Sequence, residues 1–221
     1  SRNRENEPVY AREIFTHFLR QAYRRPPEER EVKGMMALWK SERAAAGKEA
    51  FEKSIRDVLP AALVAPAFLY LVEPSAASES RKLNNHELAS RLSYFLWASQ
   101  PDTALSERAR SGELLREEVL RAEVKRLLAD ERAQRFVERF TLQWLRIDGL
   151  GTRIKPDAER FPQATPALLR AMKEETVLFA DSIMRGNQPV TRLLDADYTF
   201  VNTDLARHYG MPRLYLHTTA R

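Results

Sequence analysis

The chain has 221 residues, 43% of them hydrophobic, with 36 basic against 31 acidic side chains and a formal net charge of +5. That length fits one compact unit or two small, intimately packed ones, burying roughly 70% of the surface of the extended chain. The sequence contains no cysteine, which excludes disulfides, thiolate metal sites, a cysteine nucleophile and covalent haem attachment through Cys-x-x-Cys-His within this chain.

The elements follow from apolar spacing and from helix stops. Pro8 opens a first helix with Ile14, Phe18, Leu19 and Tyr23 recurring every three or four positions. Arg24-Arg25-Pro26-Pro27 stops it, because proline lacks a donor and restricts its predecessor. A second helix is predicted over 28–46 with Val32, Met35, Met36 and Trp39 inward, ended by Gly47. A third begins near Lys48, with Phe51, Ile55, Val58, Leu59, Ala62 and Leu63 on one stripe and a kink or break near Pro60 or Pro66. Pro66 to Val72 reads as buried helix, with a short strand as the alternative. The polar stretch PSAASESRK at 74–82 marks the clearest internal boundary.

Beyond it, Asn84 caps a helix, and Glu87 reaches back to its amide in a capping box. Leu88, Leu92, Phe95 and Leu96 share one face of that helix, and Pro101 prevents its continuation. Asp102 or Thr103 caps a short helix ending near Gly112, followed by an amphipathic helix from Arg116 to Leu128. Asp130 caps a helix expected to turn Ala133, Phe136, Val137, Phe140 and Trp144 inward, ended by Gly149 and Gly151. Thr165-Pro166 is a strong helix start, and Leu169, Met172, Thr176, Phe179, Ala180 and Ile183 give the longest clean stripe. Gly186 and Asn187 end it; Pro189 to Leu194 forms a short helix, and Asn202 caps a last one through Tyr209, closed by Gly210. No stretch alternates with period two. The expected fold is therefore all-α: an irregular multi-helix bundle of two closely packed helical subdomains with little or no sheet. The expected organisation is a small helical domain at 1–73, a linker at 74–83, a main helical domain at 84–210 and a terminal extension at 211–221.

Few patterns point to chemistry. No Gly-x-Ser-x-Gly elbow, glycine-rich dinucleotide fingerprint, phosphate loop or His-Glu-x-x-His zinc helix is present. The four histidines, His17, His86, His208 and His217, never pair at helical spacing. Glu174-Glu175 lacks the histidine partners of a di-iron helix and reads as a solvated or salt-bridged pair. Asp195, Asp197, Asn202, Asp204 and His208 lack the spacing of a calcium loop and read as Asx turns and a cap. His208, beside Tyr209, and His86 both stand at helix ends, where packing and capping account for them. Trp39, Trp97 and Trp144 read as core, Trp97 being the one whose indole lies next to a loop. The weak catalytic candidates are His208, Asp197, Glu175 and Arg91, and no metal or cofactor site is expected. No run reaches the length of about 18 apolar residues that a membrane span requires, and the polar start shows no signal peptide. Arginine interleaved with glutamate, as in EERE at 28–31 and LREEVLRAEVKR at 115–126, describes a solvated helix face and disfavours nucleic acid.

Several long, ordered stretches do carry a resemblance. AYRRPPEEREV and SIRDVLPAALVAPAFLYLVE, within 10–73, are similar to a small helical domain of unknown function (DUF1595-like). LNNHELASRLSYFLWASQPD, LLADERAQRFVERFTLQWL, FPQATPALLRAMKEETVLFADSIM and LLDADYTFVNTDLARHYG, within 82–210, resemble the domain that follows it (DUF1592-like). The resemblance is to large multidomain proteins abundant in planctomycetes. It implies a cytochrome-c-like module elsewhere in a longer polypeptide, export to the periplasm or beyond, and a link to electron transfer or extracellular polymer breakdown. Any haem then belongs to a separate domain. The family supplies no catalytic residues to carry over, and the tail MPRLYLHTTAR departs from its usual continuation. The leading expectation is a non-catalytic helical scaffold or interaction domain of a larger exported, redox-linked protein, its partners being neighbouring domains of the same polypeptide or another protein. The alternatives are an oxidative or hydrolytic enzyme module using the polar residues of 195–209 with Arg91, Trp97 or Glu175, and a weak nucleic-acid binder.

Overall fold

In a computed structural model of the chain, residues 6–45, 51–70 and 81–211 are described. Helices dominate them, and the sole extended pairing among them is an isolated bridge between Leu150 and Ile154. The fold is all-α, an irregular multi-helix bundle. The chain divides into two compact units, one from Ser1–Tyr94 with Gln100–Arg121, the other from Phe95–Ser99 with the chain from Ala122 onward.

In the first unit, α1 (Glu7–Ala22), α2 (Glu29–Ala45) and α3 (Phe51–Leu63) pack on one another, and α4 (Pro66–Leu69) packs on α3. The core face of α1 runs through Ala11, Phe15, Leu19 and Ala22. It is rotated from the expected stripe: Phe15 is fully buried, whereas Ile14 is 39% exposed. Apolar residues at adjacent positions let two registers share Leu19, and packing against α2 and α3 selects the one centred on Phe15. The α2 stripe holds as expected, with Val32, Met35 and Trp39 buried. The Trp39 indole N–H donates to Ser54 Oγ at 3.0 Å, so the ring is buried without an orphaned donor. Pro60 is accommodated inside α3, and the chain breaks instead before Pro66, which starts α4. The expected stop at Gly47, the third helix's start near Lys48 and most of the 74–82 boundary lie outside the described residues.

The remaining elements are α5 (Asn85–Trp97), α6 (Thr103–Arg110), α7 (Glu117–Ala129), a 3₁₀ turn at Glu131–Ala133, α8 (Gln134–Trp144), α9 (Pro166–Met184), α10 (Arg192–Asp195) and α11 (Thr203–His208). The capping residues read from the sequence hold. The Asn84 and Glu87 side chains accept each other's backbone N–H at 2.9 and 2.8 Å. Asp102, Thr165 and Asn202 each accept from the amide three residues on. Gly112 and Gly210 take left-handed φ of 78° and 68°, which a residue with a Cβ adopts at a cost.

The second unit is organised around Trp97. Its ring is fully buried, and its indole N–H donates to the Leu127 carbonyl at 2.9 Å. The Arg132 guanidinium lies 3.4 Å from the ring centroid, and Arg126 stacks at 5.6 Å. Asp130 binds Arg132 through both carboxylate oxygens and also accepts the Arg132 backbone N–H. Those hydrogen bonds hold its carboxyl at about 2. The stretches LWASQPD and LLADERAQRF are thus one packed device: an indole, two arginines and the carboxylate that fixes one of them. Trp97 faces no opening. α9 packs on α8, α10 and α11 within this unit. The hydroxyl of Thr141, on α8, is buried with no partner among the described residues, a local cost of about 1–3 kcal/mol.

One expectation fails on α8 and α5. Trp144 is 54% exposed and Phe140 43%, although both were expected to face the core, and Phe95, on the apolar face of α5, is 63% exposed. The buried face of α8 runs instead through Val137 and Thr141. The bulky rings lie beside that face and pack on each other: Phe95 on Phe136, Phe136 on Phe140, and Phe140 on Trp144, with centroids 4.7, 5.7 and 5.8 Å apart.

Candidate functional site

The long helix α9 presents Glu175 to the segment that follows α10. Thr199 Oγ1 donates to one carboxylate oxygen of Glu175 at 2.6 Å, and the Tyr209 hydroxyl donates to the other at 2.7 Å. The hydrogen bond to Glu175 pushes the Tyr209 hydroxyl up to about 12, with burial and the carboxylate charge adding to it. A phenol held that far from neutral pH neither gives nor takes a proton readily. Tyr198 adds to the same attachment, its ring against Phe179 and its hydroxyl 2.9 Å from Ser182 Oγ. The cluster is a clasp that ties the 198–209 segment to α9.

The other sequence candidates do not join that carboxylate. His208 is exposed and meets the clasp through its ring, 5.5 Å from that of Tyr209. The Asp197 side chain is 86% exposed and lies 3.9 Å from Arg192. Arg91 belongs to the first unit, on α5. Among the described residues no group of three or more His, Cys, Asp or Glu could hold a metal ion. Asn202 is spent as the cap of α11, and Asp204 lies 3.5 Å from Arg207.

Open space lies in the first unit. A groove of about 1150 Å³ is bounded by the end of α1, the exposed face of α2, α3, α4 and the first turns of α5. Its polar rim is built by the helix stops. Arg24, at a left-handed φ of 58°, ends α1 and turns its guanidinium onto the carbonyls of Ala67, Phe68 and Tyr70 at the end of α4. Arg25 binds Glu31 through both oxygens at 2.7 and 2.9 Å. Glu31 also accepts the Glu28 N–H. Burial pushes the Glu31 carboxyl up, but the hydrogen bonds from Arg25 and the Glu28 amide win, leaving it below the ordinary range. On the α5 side Arg81 grips Glu87 at 2.6 and 2.9 Å.

His86 is the exception on that rim. It lines the groove, burial pushes its pKa down, and its ring has no hydrogen-bond partner among the described residues. The floor is small and apolar, with Gly34, Ala37, Ala61 and Ala65, and Leu38 half exposed beside them. Apolar periodicity misses this surface, because it finds the stripe that faces the core. One signal was legible: a glycine inside a helix that needs no turn there. Gly34 shows no left-handed φ, and a Cβ built on it meets nothing within 4 Å.

These features define a class: an all-helical module whose conspicuous polar clusters are caps and clasps. Residues 83–211 match the family described as PSD4, Protein of unknown function (DUF1592), and the chain belongs to that family. Residues 10–73 match the family described as PSD5, Protein of unknown function (DUF1595), so the two follow each other along the chain. No curated protein and no solved structure matches it.

Proposed function

We propose that the chain is a non-catalytic helical scaffold whose second unit docks a neighbouring part of a longer, exported polypeptide. The observation that carries this reading is the row of rings from Phe95 through Phe136 and Phe140 to Trp144. Three of the four are exposed by 43% or more. Exposed aromatic clusters of this kind mark interaction surfaces. The rings lie on one another, so their outer edges suit apolar side chains of a partner better than a stacked sugar or base. The finer features come from the family resemblance and belong to the same proposal: a planctomycete source, a periplasmic or extracellular location, and haem carried by a separate module. No helix among the described residues is long and apolar enough to cross a membrane.

Acrylamide quenching tests the docking. Trp39 and Trp97 are buried, so Trp144 supplies the accessible indole emission. In the 221-residue chain that emission is quenched, and Trp144→Phe removes the quenchable fraction. In the polypeptide as its source makes it, Trp144 is expected to be shielded. Equal quenching in both settings would end the reading. An absorbance scan of the same material checks for haem, and cell fractionation checks for export.

A further inference from the structure

Helix α8 sorts its side chains into rows, because residues four apart are neighbours on a helix surface. One row is Phe136, Phe140 and Trp144, whose rings pack on one another. On one side of it lie Val137 and Thr141, which face the core of the second unit. On the other side lie Arg135, Arg139 and Gln143, all three exposed. The Arg135 guanidinium reaches a neutral acceptor, the Trp97 carbonyl at 3.3 Å, which leaves its charge uncompensated. Arg139 makes no hydrogen bond or ion pair among the described residues. Glu138 is two positions from both Phe136 and Phe140, so it stands on the side of the helix away from the rings. The ring row is therefore bordered by the core along one edge and by cations along the other.

That pattern limits what can cover the rings. The backbone groups of α8 are spent within its own helix, so a partner binds through side chains and not by adding a strand. From Phe136 to Trp144 the helix rises about 12 Å, which about two turns of a second helix would match. The cationic edge sets the sign of the partner's charge. It also argues against a second copy of this chain: face-to-face antiparallel pairing would lay the Arg135 and Arg139 edge against itself, and like charges there repel.

Taking the ring row as a docking face, we propose that its occupant is an amphipathic α-helix with an acidic edge. Large apolar side chains at three- and four-residue spacing lie on Phe95, Phe140 and Trp144, and the Asp or Glu side chains beside them pair with Arg135 and Arg139.

Fluorescence anisotropy of labelled, end-capped helical peptides of about 15 residues, titrated with the full 221-residue chain, tests this. The first peptide has leucine at three- and four-residue spacing and glutamate along one edge. The second replaces its glutamates with lysine, and the third replaces its leucines with serine. The first is expected to bind saturably below about 1 mM, the effective concentration of a tethered segment, and at least about tenfold more tightly than either of the others. Arg139→Glu is expected to abolish the preference for glutamate over lysine with the thermal midpoint unchanged, and Phe140→Ala to weaken both leucine peptides. Equal binding of the glutamate and lysine peptides, or a preference that survives Arg139→Glu, overturns this inference but not the docking reading, which the Trp144 quenching comparison decides separately. So does failure of the glutamate peptide to saturate, a dimer dispersed by Trp144→Ser, or a Trp144 emission shifted by phosphatidylglycerol vesicles and not by the peptide.

Discussion

The groove of the first unit and the Glu175 clasp of the second contain similar residue types and differ in what is left over. At the clasp, one carboxylate accepts hydrogen bonds from the Thr199 and Tyr209 hydroxyls, and the Tyr198 ring packs on Phe179 and Phe200. At the groove, the rim glutamates are paired with arginines, but the space they enclose stays open and His86 has no hydrogen-bond partner among the described residues. A concentration of polar residues in sequence therefore says little about a site. Unused space bordered by an uncommitted polar group says more, and it arises where two segments fail to fill the volume between them.

The contrast predicts unequal responses to truncation. Trp97 fills its volume completely and makes its one hydrogen bond. Trp97→Ala should therefore cost about 3–5 kcal/mol, the range for a large buried ring. Leu38→Ala, on the half-exposed wall of the groove, should cost about 1 kcal/mol or less. Urea unfolding followed by near-ultraviolet circular dichroism measures both. A loss at Trp97 no larger than that at Leu38 would erase the distinction between filled and open regions.

Gly186 sharpens it from the other side. A Cβ there would stand 2.1 Å from the Ser182 carbonyl oxygen, a backbone atom that cannot swing aside. Gly186→Ala should destabilise the second unit by about 1–3 kcal/mol, as overpacking does. The thermal midpoint of the purified variant reads this directly.

These pairs also show what the sequence could reveal. Caps were legible because they are local: Asn84 with Glu87, Asp102, Thr165 and Asn202 each act within three residues of themselves. Helix existence was legible from spacing, as was the inward face of α2. The register of α1 was not, because adjacent apolar residues permit two faces and only the contacts of α2 and α3 decide between them. Nor was the outward turn of Phe140 and Trp144, since an amphipathic stripe wider than the contact made by its partner leaves rings at the edge. Of the weak site candidates, Glu175 meets Tyr209 and Thr199 across the fold, a pairing that no spacing announces. His86 and Gly34 share a groove for the same reason.

The clasp should respond to pH in one direction and the Trp97 device in the other. Tyr209 is raised from 10.0 to about 12, so folding favours its protonated form. Its contribution is complete below pH 10 and disappears as pH rises through about 12. Asp130 is lowered from 3.8 to about 2, so its contribution is present above pH 3.8 and disappears as pH falls through about 2. Tyr209→Phe should cost about 0.5–1 kcal/mol at neutral pH, the lower half of the range for one hydrogen bond, because the ring is partly exposed. The same variant should lose the alkaline dependence between pH 10 and 12. Stability curves of both proteins against pH check the sign. An unchanged alkaline limb would show that the hydroxyl bond contributes nothing to holding the segment on α9.

The smallest expected effect separates the two regions most cleanly, because its sign is opposite to the rest. Gly34→Ala places a methyl group in space that nothing occupies and improves a helix interior. It should stabilise the chain by about 0.5–1 kcal/mol. Gly186→Ala, an identical chemical change, should do the reverse. Measured side by side in urea, opposite signs mean that one glycine is demanded by the backbone and the other is not. If both variants lose stability, the α2 surface at Gly34 is already covered by the chain itself. The groove seen beside Gly34 would then be closed in solution.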